Sequence, residues 1–279
     1  MSSRSAKHAL MVLAPLLGSA GFAQPGSQKD EKALVEEFRA FAKGEAATYT
    51  CRLEGSDRPL RFHPEPVLTY SNPIMGRVYG NVFIWTADGR PEVIADIYRF
   101  FSGSPPHRGN AFHSLSLGKV TAEREGAVVW CPTRPGVEFK PIPGAPAPAE
   151  SAAARLRQMR ALAQEFTSRQ TNRAGIDRDM RLLSKPLYRY EGTKGDLIDG
   201  SLFVMVQGTD PEILLLIEAR RTRDGAPEWR FSAARSHGID LRLYHRGDLI
   251  WRAPEIPWSQ IIDRREPFWG VVFDTPGQR

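Results

Sequence analysis

The sequence predicts an α+β protein built from two tandem units, each a helix packed on a curved antiparallel sheet. Three observations carry this. Residues 60–98 align without gaps on residues 180–218 at a constant offset of 120, matching Arg61 with Arg181, Pro66 with Pro186, Tyr70 with Tyr190 and Gly80 with Gly200. The match continues through Phe83 and Phe203, Pro91 and Pro211, Glu92 and Glu212, and Ile97 and Ile217. Each copy is preceded by a stretch with helical spacing of apolar residues, and each continues into short β-rich runs separated by turn signals.

Taken in order, residues 1–23 read as a signal peptide. Arg4 and Lys7 precede the apolar run Ala9 to Leu17, and Gly21 and Ala23 occupy the minus-three and minus-one positions of a cleavage site that would leave Gln24 first. Gly18 and Ala20 fit the same rule, so cleavage after Ala20 is the alternative. The run is shorter than the roughly 20 residues that span a bilayer and is broken by Pro15 and Gly18, and no later stretch is apolar enough to cross. The expectation is a soluble exported protein, periplasmic or extracellular, with no transmembrane segment in the mature chain.

Unit 1 covers residues 24–131. Leu34, Phe38 and Phe41 mark a helix over 30–43, with Gly44 as its stop. Val82 to Thr86 meets Pro91 to Phe100 through the turn signal Asp88-Gly89, and further strands run over Phe112 to Leu117, Lys119 to Glu123 and Ala127 to Trp130. Residues 132–150 are rich in proline, which favours stiff, extended backbone, and form the linker. Unit 2, residues 151–279, repeats the plan: Ser151 caps a helix carrying Leu156, Met159, Leu162, Ala163 and Phe166. Strands follow at Ser201 to Val206, Glu212 to Ala219, Trp229 to Ala234, Ile239 to His245 and Asp248 to Trp251, and a last strand, Trp269 to Phe273, covers an edge. In an oxidising compartment Cys51 and Cys131 are expected to form a disulfide pinning the two ends of unit 1.

Composition narrows the function. The net charge is +6, but the halves 24–149 and 150–279 carry only +1 and +3, without the concentrated basic face of a nucleic-acid binder. No Walker loop, dinucleotide fingerprint, HExxH or, after residue 23, GxSxG occurs, and no His/Cys/Asp/Glu group has metal-ligand spacing, so neither a cofactor nor a metal is expected.

The segments Phe83-Ile-Trp-Thr-Ala-Asp-Gly-Arg-Pro-Glu92, Phe112-His-Ser-Leu115, Arg155-Leu-Arg-Gln-Met-Arg160 and Gln207-Gly-Thr-Asp-Pro-Glu212 resemble a family of uncharacterised exported proteins of planctomycete-type bacteria. That resemblance covers most of the mature chain and implies no activity. At the level of fold analogy, units of this kind look like cystatin or NTF2-like rolls, which host enzymes and inert binding modules alike.

One asymmetry between the copies marks a candidate site. Asp96 falls where the second copy has Leu216, and His113 falls where it has Phe231 if Ser114 is matched to Ser232. The expected pocket has Asp96 and His113 facing each other across neighbouring strands, with Trp85 as an apolar wall. A Ser-His-Asp triad is excluded because Ser114 and His113, being adjacent in a strand, point to opposite faces. Glu92 and Asp96 lie about 13 Å apart along a strand, beyond glycosidase spacing. No catalytic residue is assigned. The functional expectation is an exported non-catalytic binding or envelope-associated protein taking a small polar ligand or an envelope protein. The alternative is an exported hydrolase or isomerase using the polar pocket of unit 1.

Overall fold

The computed structural model describes residues 28–72, 78–101 and 107–273. The expected signal segment 1–23 lies outside them. The chain opens with helix α1 (Gln28–Ala47) and continues through β1 (Tyr49–Leu53), β2 (Arg61–Phe62), β3 (Leu68–Asn72), β4 (Val78–Ala87), β5 (Arg90–Phe100), β6 (Arg108–Ser114), β7 (Val120–Arg124) and β8 (Ala127–Trp130). A two-residue strand, β9 (Lys140–Pro141), precedes α2 (Ala152–Gln164). Then come β10 (Phe166–Thr171), β11 (Asp177–Leu182), β12 (Tyr188–Glu191), β13 (Leu197–Gln207), β14 (Asp210–Arg221), β15 (Pro227–Arg235), β16 (Asp240–His245) and β17 (Asp248–Ala253). Helix α3 (Trp258–Ile261) and β18 (Phe268–Phe273) end the described chain.

This arrangement corrects the expected fold class. The protein is mostly β, 51% strand against 14% helix, in three antiparallel sheets rather than two helix-on-sheet units of the cystatin or NTF2-like kind. The strands of the first segment divide between a three-stranded sheet, β1-β7-β8, and a six-stranded sheet, β18-β6-β5-β4-β2 with β3 also on β4. That second sheet is completed by β18, from the far end of the chain. The nine-stranded sheet, β17-β16-β10-β11-β13-β14-β15-β9 with β12 on β13, takes β9 from the proline-rich segment. Proline content hid this: Val137 and Ile142 of that segment are buried in two different cores.

The sequence match at offset 120 is visible as two hairpins in one register. Val82 pairs with Asp96 and Leu202 with Leu216, Phe83 with Ala95 and Phe203 with Leu215. Both hairpins slip by one residue at the same place, between Trp85 and Thr86 and between Met205 and Val206. Two of the shared residue types have a packing reason: a Cβ at Gly80 or Gly200 would fall inside the ring of Tyr70 or Tyr190, so each tyrosine lies flat over a glycine on the neighbouring strand.

Both faces of each hairpin are covered, which explains their long apolar runs. Phe83, Trp85, Val93 and Ala95 point to the side of α1, where Phe38, Ala42 and Ala46 pack on them. Phe203, Met205, Ile213 and Leu215 point to α2 through Met159 and Leu162. The alternate residues Val82, Ile84 and Ile94 meet Leu202, Val204, Leu214 and Leu216 in a third core, the seam where the two large sheets face each other. The helix stripe of α1 differs from the expected one, since Gly44 does not end the helix and Phe41 is exposed.

The expected disulfide is also corrected. Cys51 and Cys131 are not bonded. Cys51, Ala122 and Trp130 form one inward-facing row across β1, β7 and β8, all fully buried. Cys131 follows Trp130 and therefore turns to the exposed face, two strand spacings of about 4.8 Å from Cys51. That separation exceeds the reach of a bridge.

Candidate functional site

The register places the predicted pocket residues in three environments. Trp85 stands on the α1 side of β4, between the rings of Phe62 and Phe112 at 5.1 and 5.9 Å, and is the wrong side of the sheet to wall a pocket containing the other two. Asp96 and His113 do share the seam face, since His113 pairs with Ile94 and Asp96 lies two residues further along β5. Their polar atoms turn to different partners. Pairing also corrects the sequence match: at offset 120 Ile94 corresponds to Leu214, whose partner is Ala234, so the counterpart of His113 is Ala234 rather than Phe231.

Asp96 is sealed between the sheets. Its Oδ2 accepts from the Tyr70 hydroxyl at 2.7 Å, while Oδ1 has no partner among the described residues. Burial, then the charge of Asp210, raises its pKa well above the ordinary carboxylate range. Glu212, equally buried, is raised by burial and then by Asp210 and Asp96. Asp210 is pushed up to about 6 by burial, opposed by the hydrogen bond from Asn72 Nδ2 at 3.1 Å. Among the described residues no Lys or Arg stands within ion-pair distance of these three carboxyls, and no group of three or more His, Cys, Asp and Glu is arranged to hold a metal ion.

His113 instead faces an opening. The segment Arg134 to Lys140 runs along the seam between β6 and β15, and Gly136 lies so close to β6 that a Cβ there would sit 1.7 Å from the Ser114 carbonyl oxygen. This contact brings the Gly136 carbonyl oxygen 3.4 Å from His113 Nε2. Two cavities flank the segment, of about 760 and 510 Å³. Arg134, Gly136, Ala233 and Trp251 line both, making one groove. Such volumes suit a small-molecule ligand.

His113 and Arg235 line the smaller cavity together. Burial lowers the His113 pKa to about 3, helped by the charges of Arg235 and Arg134 against the opposing Gly136 carbonyl, so the ring is neutral at pH 7. The Arg235 backbone carbonyl also acts on the ring, and in the tautomer in which Nε2–H donates to Gly136, Nδ1 carries a lone pair with no partner among the described residues.

Arg235 was missed by sequence reading. It ends the alternation Trp229, Phe231, Ala233, Arg235 along β15, on the inward face, and an arginine closing an inward-facing series was the available signal. The side chain is only 6% exposed, with Nη2 donating to the Pro254 carbonyl at 2.5 Å and the Phe268 ring 5.9 Å away. Its Nη1 has no partner, and no carboxylate lies within ion-pair distance among the described residues. Burial lowers its pKa to about 10, against the charge of Asp240, which acts on it from beyond ion-pair distance, and leaves it charged at pH 7. The acids around this cavity are already engaged: Glu255 with Arg173, Asp263 with Arg265 and Glu266 with Arg134.

No family model, curated protein or solved structure matches the chain. What the fold and groove define is a mostly-β antiparallel protein with an open polar cleft beside the seam of its two large sheets.

Proposed function

We propose that the chain is an exported, non-catalytic binding protein that takes a small polar ligand in the groove between β6 and β15. One observation carries this reading: His113 and Arg235, buried side chains from different sheets, line the same cavity, and each keeps a polar atom without a partner among the described residues. Buried polar groups in folded proteins are nearly always satisfied, and an unpaired one costs about 1–3 kcal/mol. A ligand that satisfies both explains their retention. The hydrolase or isomerase alternative depended on Asp96 and His113 acting together, and nothing in their geometry favours it, since Asp96 lines neither cavity. Among the described residues no helix is long and apolar enough to cross a membrane.

The test is thermal-shift screening of the full chain against a panel of small polar metabolites, repeated with His113→Leu. A ligand that raises the wild-type Tm and shifts the variant much less supports the groove. Absence of any shift, or shifts indifferent to His113, overturns it. Recovery from the native host of a protein starting at or near Gln24 supports export, and an intact cytoplasmic chain removes it.

A further inference from the structure

We infer that the ligand of this groove is an oxyanion-bearing small molecule, with its carboxylate or phosphate on Arg235 and a neighbouring hydroxyl or N–H group on His113. The inference rests on the groove being a binding site and adds the chemical class of what it holds.

Charge supplies the first argument. An isolated buried charge is costly, and buried guanidinium groups are ordinarily paired. Two guanidinium groups of similar burial follow that rule: Arg90 and Arg220 are both engaged by Glu218, at 2.9 and 2.6 Å, although Arg90 also keeps one nitrogen without a partner. Arg235 is different. One of its terminal nitrogens is held by Pro254 and Phe268 lies beside it, so the fork is fixed, while Nη1, in a side chain that lines the cavity, is buried without a partner. A fixed guanidinium with a spare donor is complementary to a planar carboxylate or a phosphate oxygen.

Arg235 and His113 also have opposite hydrogen-bond characters. Arg235 offers a donor and a positive charge, whereas His113 Nδ1 offers a lone pair. A bare inorganic anion satisfies only the first. A 2-hydroxy acid, or a phosphate ester bearing an adjacent hydroxyl, satisfies both. Trp251 and Phe268 give the remainder of such a molecule an apolar wall.

Register supplies the third. By strand pairing the counterpart of Arg235 is Ser114, since Val93 pairs with Ser114 and Ile213 with Arg235 at offset 120. Ser114 is fully buried and small, so a side chain at this lattice position need not be charged to hold the sheet together.

The experiment is calorimetric titration of the full chain with three probes: phenyllactate, 2-hydroxy-3-phenylpropyl phosphate and the neutral 3-phenylpropane-1,2-diol. The inference expects phenyllactate or 2-hydroxy-3-phenylpropyl phosphate to bind at least tenfold more tightly than the diol, and Arg235→Met to remove that preference. The stronger of the two acids identifies the anion source. If the diol binds as tightly as both acids, and His113→Leu weakens it, the groove stands as a binding site and the anion inference falls. If none of the probes binds, both fall. Stability of the free protein provides the second measurement. Removing an unpaired buried charge leaves the Tm of Arg235→Met equal to or above wild type, whereas a clear drop means that Arg235 is a structural prop and overturns the inference.

Discussion

The two ends of the seam between the large sheets are built from matching positions and solve the burial of carboxylates in opposite ways. At one end Glu218, with no exposed surface, receives the Tyr190 hydroxyl at 2.7 Å, Arg90 Nε at 2.9 Å and Arg220 Nε at 2.6 Å. Arg90 also holds Glu92, and Arg220 holds Asp196, while the Phe139 ring lies under both guanidinium groups. At the other end the matching tyrosine, Tyr70, donates to Asp96, and the position matching Arg90 is Asp210. One end is an ionic network in which every carboxylate has a cation. Its counterpart gathers Asp96, Asp210 and Glu212 without a cation within ion-pair distance among the described residues, and burial raises the pKa of all three. The difference teaches that one backbone register tolerates either solution, because the tyrosine over its glycine supplies a fixed donor in both.

The largest effect should come from breaking the paired end. Glu218→Leu leaves Arg90 with Glu92 and Arg220 with Asp196, but it removes the buried carboxylate that both share and the acceptor of the Tyr190 hydroxyl, and should cost about 3–5 kcal/mol in denaturant unfolding. A loss below ~1 kcal/mol would mean that water reaches these guanidinium groups and that the end is not sealed.

The same kind of change at the acid end should act in the other direction. Asp96→Leu copies the residue at position 216 and removes a carboxyl with an unpaired oxygen, while the Tyr70 hydroxyl keeps Asp210 as an acceptor, so a gain of about 1–3 kcal/mol at pH 7 is expected. The pH profile makes the comparison sharper. Carboxyls with raised folded pKa values keep protons that the unfolded chain has released. Stability contributed by the acid end therefore falls as pH climbs from about 4, and for Asp210 this continues to its folded value of about 6. His113 works oppositely: held down to about 3 by burial, it refuses a proton that the unfolded chain takes up, so stability drops as pH falls below about 6.5. Asp96→Leu should flatten the first slope and leave the second. Identical slopes in wild type and variant would show that the carboxyl is already charged and hydrated.

The smallest effect concerns the cysteines and serves as a control on both. Because no bridge exists, Cys131→Ser should change stability by less than ~0.5 kcal/mol, where loss of a disulfide would cost about 2–5 kcal/mol. Maleimide should label exposed Cys131 rapidly and buried Cys51 only on unfolding. Equal protection of both would contradict the exposed placement of Cys131.

What could be read from the sequence follows from what each signal depends on. Asp88-Gly89 was legible as a turn because both residues need positive φ, 47° and 90°, and the chain does reverse there. The hairpin register was legible through Tyr70, Gly80 and their counterparts, which are fixed by a close local approach. Partners distant in sequence were not legible: nothing in Phe268 to Phe273 announces that it pairs with β6, and no pattern of prolines tells that Val137 fills the seam. Asp96 and His113 were found as polar interruptions of apolar strands, but pattern alone did not show that one is sealed and the other faces a cavity. Arg235 went unread because a charge at a strand end looks like exit to solvent.

The pairing of β18 with β6 also sets an order of events during synthesis. The ribosome releases α1 and β1 to β8 first, yet the free edge of β6 has no hydrogen-bonding neighbour until Phe268 to Phe273 emerges, after most of the chain. Trp130 donates to the Glu266 carbonyl in the same late segment, so the three-stranded sheet waits as well. The front half of this protein is thus a latch closed by its late segment, and the nascent chain carries an open β edge from the completion of β6 until β18 emerges, more than half of its synthesis, which is where chaperone protection would matter most.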